Sequence, residues 1–459
     1  MAKRERPASL KPGYFLGQEA SSCPTNVLFR RLNPYLKPFL TVEGARRYFD
    51  QIAGRVDGLD FVPYWYEPAD AEMCRAIAQA GRDAGIDMWA GVRWHKQFRD
   101  LPIVPADCAG WTMDASGRIA PAVWEQRNQS FDYLNPKAVD WLLDALEERF
   151  WSHVKGVVNG FFFPEVRIVC SVPYGREAFQ PWTLHAYSPY VLDEWRRWCA
   201  EHDVRWEGSV VDRFPVPRPG MVAAEPDKTM HVPNNVPAAA PAFTRFADIP
   251  HGTAVWLAWE DFLCEMLHAN FIHRVAERVN RYHADEPDWR GVCFFNNDCT
   301  MLDYRNYRTD TARTGHALGH YPQGRRMGVD IRRLLDDPEI TCFISETIEP
   351  VNDYYWYEEN ALSHGMELAR RHGRERDYGF MVHYCDLWGQ TGDVLTPGAG
   401  IMDDLQEDLR WEMIHQYRPP VFSFYSIPAV LVKEGAWYRQ EAAERFWSRV
   451  QEYKRTFAQ

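Results

Sequence analysis

Two glutamates stand at the ends of apolar runs: Glu165 closes GFFFPE (160–165) and Glu346 closes CFISE (342–346). A carboxyl group held against apolar neighbours has its charged form disfavoured, so its pKa rises toward the range useful for a general acid. A second carboxylate that stays ionised can serve as nucleophile, or as base for a water molecule. Cleavage of a glycosidic bond uses this division of labour, and the pair fits that chemistry best. Asp298 in FFNND and Asp386 in HYCDLWG are alternative partners, and Trp388 follows Asp386 within reach of a sugar ring. Arg167, two residues after Glu165, can hold it or its partner ionised. An acid at a strand end is more often a helix cap or a salt-bridge partner; several converging on one rim change that balance.

The same phrases supply binding groups. Trp65, Trp94 and Tyr425 join Trp388 as flat rings suited to stacking on sugar faces, while Arg93, His95, Asn296 and Asn297 read as hydroxyl-binding groups. His383, inside FMVHYC, is first a core histidine and second a substrate or metal contact.

What positions these residues is an alternation of short β-branched and aromatic runs with longer segments of helical period. The strand candidates are NVLFR at 26, GLDFVPYW at 58, IDMWAGVRW at 86, VNGFFFPE at 158, RGVCFFNND at 290, ITCFISE at 340, YGFMVHY at 378 and PVFSFYS at 420. Helices between them are marked by Thr41 as a cap, by Gly85 as a terminator, by Asn135 with Pro136, and by the segment SPYVLDEWRRWCAEH. Eight strand and helix units predict a (β/α)8 TIM barrel, in which reacting groups sit at the carboxyl ends of the strands. An open doubly wound sheet is the rival, but no GxGxxG or P-loop opens its first unit. GYFLGQE at 13–19 is not counted, because too few residues separate it from NVLFR for a crossover helix. The whole chain, 1–459, reads as one catalytic domain, with long loop insertions at 96–135 and 205–250 on the active-site face.

Composition sets the outer limits. A net charge of −12 argues against a nucleic-acid partner, which would need a basic face to displace counterions. No stretch reaches 18 apolar residues and the N-terminus lacks an apolar signal core, so neither a membrane nor export is expected. The cysteines form no CxxC pair and several lie in apolar strands as small hydrophobes, which suits a reducing, cytoplasmic setting. Lysine is scarce beside arginine, although Lys96 after the third strand keeps a Schiff base open. A G-x-S-x-G elbow and an HExxH motif are both absent. The expected partner is a carbohydrate substrate, with no cofactor and no metal, and a homo-oligomer stays open.

The phrases SFDYLNPKAVDWLLDAL (130–146) and AYSPYVLDEWRRW (186–198), flanking the Glu165 strand, resemble those of family 42 β-galactosidase-like glycoside hydrolases of clan A. The resemblance implies a (β/α)8 fold, hydrolysis without an obligatory cofactor, and the strand-4 glutamate, here Glu165, as acid/base. Two departures stand out. Pro164 precedes the glutamate where that clan usually has Asn, and Glu346 falls on strand 6 where the clan's nucleophile lies on strand 7. A strand-4 and strand-6 pair looks instead like the layout of barrel α-galactosidases and α-glucosidases, with the two roles exchanged. One uncounted strand near the N-terminus would restore the clan pattern. Two other functions compete: a metal-dependent sugar isomerase or epimerase using Glu165, Asp298, Glu346 and His383, and a non-catalytic carbohydrate-binding barrel.

Overall fold

The computed structural model describes residues 9–18, 41–61, 68–91, 131–163, 186, 188–204, 254–296, 328–346, 355–383, 404–425, 431–433 and 438–458. Eight parallel strands close into a barrel in sequence order. They are β1 (Tyr14–Gln18), β2 (Gly58–Phe61), β3 (Asp87–Gly91), β4 (Gly160–Phe163), β5 (Val292–Asn296), β6 (Ile340–Glu346), β7 (Tyr378–His383) and β8 (Val421–Tyr425). An open sheet is thereby excluded.

Seven strands fall where the apolar runs predict them, and the first does not. The run set aside, Tyr14–Gln18, is β1; it pairs over five residues with β8, from Tyr14 opposite Val421 to Gln18 opposite Tyr425, and over three with β2. NVLFR lies outside the described residues. The two runs were indeed too close for both to be barrel strands, and pairing with both closing neighbours selects the one that chain spacing could not. Because one run replaces the other, the count is unchanged and Glu346 stays on the sixth strand.

Helices cover the outside: α1 (Val42–Ile52), α2 (Pro68–Asp83), α3 (Pro136–Leu146), α4 (Pro189–Glu201), α5 (Ala254–Leu267), α6 (His273–Tyr282), α7 (Ile331–Asp336), α8 (Tyr355–Arg371), α9 (Asp404–Tyr417) and α10 (Gln440–Arg455). Helix α3 continues through a π turn at Glu147–Trp151, and a second π turn at His268–Ile272 joins α5 to α6. Their starts follow from capping chemistry. Thr41 Oγ1 accepts from Gly44 N at 3.0 Å, Asn135 Oδ1 from Lys137 N at 3.1 Å and Ser188 Oγ from Val191 N at 3.4 Å; proline follows the last two caps, where its missing N–H costs nothing. Gly85, at φ +76°, follows α2 in a left-handed conformation that a side chain would resist.

Strand alternation divides the apolar residues between two cores. On the outer face Phe163 packs on Phe271 and Phe294, and Phe446 of α10 meets Phe15 and Phe424. Each such ring contributes about 1.5–3 kcal/mol by leaving water. Because both faces of the strands are covered, most of them read as near-continuous apolar runs, which makes them visible in the sequence.

Candidate functional site

The N-terminal end of the barrel interior is filled. Met88 reaches outward to Gly81 of α2, so its neighbour Trp89 faces inward, lying over Gly160 and Gly58 of the adjoining strands. A Cβ at Gly160 would lie 2.5 Å from the indole, and one at Gly58 would lie 2.3 Å from Tyr14 Oη. Trp89 Nε1 donates to Tyr14 Oη at 3.0 Å, Tyr14 Oη donates to Asp87 Oδ2 at 3.0 Å, and Arg290 Nε donates to the same oxygen at 3.2 Å. Burial and the Asp87 charge push the Tyr14 phenol well above its usual range, so this tyrosine is a neutral donor. The chain closes this end with side chains that satisfy one another, which leaves chemistry to the other end.

At that other end four of the eight strands finish on residues of the predicted set. Asn296, Glu346, His383 and Tyr425 are the last residues of β5, β6, β7 and β8. Their registers interlock: Asn296 is opposite Ser345, Glu346 opposite Met381 and His383 opposite Tyr425. The backbone therefore brings these four to one rim. Trp65, Arg93, Trp94, His95, Glu165, Arg167, Asn297, Asp298, Asp386 and Trp388 lie outside the described residues, as do 96–130 and 205–250 of the expected insertions. Phe163, the last residue of β4, is two positions before Glu165, and Gly91, the last of β3, is two before Arg93.

A carboxylate that the sequence reading passed over lies within the barrel. Asp60 alternates with Leu59 along β2 and shares the inward face with Gly58. It is 0% exposed, sits in register with Gln18 and Trp89, and adds to the burial that pushes the inward Cys293 thiol up. A buried acid inside a strand is rare enough to have been a signal in GLDF. Cys293 and Cys342 are buried hydrophobes, as expected.

The segments leaving β3 and β4 are tied together where they end. Asp132 precedes the cap of α3, and Ser188 caps α4; Ser188 Oγ donates to Asp132 Oδ2 at 2.6 Å, and Leu134 N donates to Asp132 Oδ1 at 3.2 Å. Both residues are buried. Burial outweighs these hydrogen bonds and raises the Asp132 carboxyl to about 6. This bond ties the start of α3 to the start of α4. Other tryptophans have a plainer use: Trp89, Trp151 and Trp195 are fully buried core residues.

Among the described residues no helix is long and apolar enough to cross a membrane. No family model matches the chain, and no curated protein matches it. Solved structures do. The PgaB (BpsB) glycoside hydrolase domain from Bordetella bronchiseptica matches with a TM-score of 0.50 at 9% identity, over 90% of this chain and 94% of that one. A putative α-L-fucosidase from Bacteroides thetaiotaomicron gives 0.43 at 7% identity, over 99% and 98%. GH5_18 from Streptomyces cattleya, in complex with GlcNAc, gives 0.42 at 11% identity, over 97% and 81%. The first likeness is one of fold and agrees with the closed barrel, while the family 42 resemblance finds no family-level match.

Proposed function

We propose that this protein is a glycoside hydrolase that cleaves its substrate between Glu165 and Glu346. The observation that carries the reading is the placement of Glu346 as the last residue of β6, on the rim that β4 reaches two residues before Glu165. Strands fixed by pairing on both edges give such residues a rigid backbone, which a reaction needing two aligned carboxyl groups requires. The likeness of fold to the PgaB glycoside hydrolase domain is consistent with this chemistry.

With Glu346 on strand 6, the pair follows the strand-4 and strand-6 layout. Glu165, with Arg167 nearby in sequence, is then the ionised carboxylate that attacks the anomeric carbon or activates water. Glu346 is the proton donor to the leaving oxygen, and it regains a proton in turnover. His383 and Tyr425, opposite each other at neighbouring strand ends, supply ring and hydrogen-bond contacts to the sugar.

The test is hydrolysis of a panel of aryl glycosides and oligosaccharides by the wild-type chain and by Glu165→Gln and Glu346→Gln. We expect each substitution to lower kcat/KM by orders of magnitude and to change unfolding free energy by less than about 1 kcal/mol, as at rim positions outside the core. Undiminished hydrolysis in either variant overturns the assignment of that residue.

A further inference from the structure

Away from the barrel mouth, two histidines and an aspartate converge where the long helix of α5 and α6 passes the turn into β6. His268 Nε2 lies 3.1 Å from Asp337 Oδ2, and His273 Nδ1 lies 3.1 Å from Asp337 Oδ1. One nitrogen from each ring and one carboxylate oxygen all lie within 4.8 Å of one another. The π turn makes this possible. Residues five apart on a regular α-helix point about 140° apart and could not share one carboxylate. Across the turn His268–Ile272 the His273 N–H donates to the His268 carbonyl, an i to i+5 bond that brings the two residues to one side. Their rings lie 6.3 Å apart with planes 29° from parallel.

The surroundings favour a cation. Asp337 is 0% exposed and its carboxylate is oriented by the Glu339 N–H, which donates to Oδ1 at 2.9 Å. Glu277, one turn along α6 from His273, and Glu339 add negative charge toward the same ring. The Arg374 guanidinium donates to the Asp337 carbonyl but is paired with Asp377. His273 is 40% exposed, which leaves a path for solvent. Two imidazole nitrogens and a carboxylate oxygen, with no thiolate, suit zinc and its neighbours rather than calcium or magnesium. In a tetrahedron with bonds of 2.0–2.1 Å the ligand atoms stand about 3.3 Å apart, close to both observed nitrogen to oxygen separations.

We propose that His268, His273 and Asp337 form a binding site for one divalent cation of the zinc class, with solvent completing the coordination. The site clips the α5–α6 helix to the start of β6. Asp337 precedes the seven residues of β6, which span about 20 Å, so the ion lies at the opposite end of that strand from Glu346 and takes no part in hydrolysis.

The experiment is zinc titration of the full chain after chelator treatment, followed by equilibrium dialysis with metal analysis and by thermal unfolding. We expect about one tightly held zinc per chain, and a Tm rise of about 3 °C at a hundredfold excess over Kd for a chain of this length. His273→Gln, at a half-exposed position, folds and binds at least tenfold more weakly; His268→Gln behaves alike. Cobalt in place of zinc gives the visible bands of a tetrahedral site in the wild type and loses them in both variants. Equal zinc binding by wild type and both variants, or an unchanged wild-type Tm, overturns the proposal.

Discussion

Asp132 offers a sharp test of how the starts of α3 and α4 are joined. Its carboxyl rises from 3.8 to about 6 because burial costs the charged form more than Ser188 and Leu134 return. The folded state therefore prefers the protonated acid. That preference is fully present below pH 3.8 and is lost as pH rises through about 6. At about 1.4 kcal/mol for each pH unit, ionising Asp132 within the fold costs about 3 kcal/mol. Asp132→Asn cannot ionise, and its amide can occupy the same space. Denaturant unfolding of both proteins from pH 4 to pH 7 measures the difference. The wild type should lose about 3 kcal/mol relative to the variant over that range, with most of the loss between pH 4 and 6. Comparing the two cancels other groups, including Asp337, whose carboxyl is held below its usual range against its own burial by bonds to His268 and His273. A difference that stays flat with pH would refute the account of Asp132.

Two substitutions test the packing at the N-terminal end of the barrel. Gly160→Ala should destabilise the chain by about 1–3 kcal/mol, because its Cβ would lie 2.5 Å from the buried Trp89 ring; thermal unfolding reads this, and an unchanged Tm would mean that the indole can yield. Arg374→Met removes a buried guanidinium that bonds Asp377 and the carbonyls of Leu335, Asp337 and Ile340. It should cost about 3–5 kcal/mol in denaturant unfolding, since the buried Asp377 carboxyl loses its guanidinium partner. A loss below about 1 kcal/mol would contradict that reading of the ion pair.

The sequence made most of the barrel legible because its strands are covered on both faces, so FFF in β4 and FMV in β7 stand out without any periodicity. It misplaced β1 because YFLGQ and NVLFR are similar in character, and only pairing with both β2 and β8 tells them apart. The capping residues Thr41 and Asn135 were legible because a cap is a local bond. The Asp132 to Ser188 bond was not, since it joins residues 56 apart and depends on how two helices start side by side. The π turn at His268 was equally hidden: one residue beyond the helical repeat leaves no mark in composition, and only the spacing of His268 and His273 hints at it. Of the candidate site, Asn296, Glu346, His383 and Tyr425 end strands as the apolar runs predict, and the rest lies outside the described residues; Asp60 escaped because GLDF reads as a strand whatever its acid does.

The most direct measurement is the separation of the Glu165 and Glu346 carboxyl groups in a crystal with sugar bound. The account predicts that they flank the glycosidic oxygen, at about 5–5.5 Å for a retaining reaction or about 6.5–9.5 Å for an inverting one. Carboxyl groups farther apart than about 12 Å, or a sugar bound away from both, would contradict it.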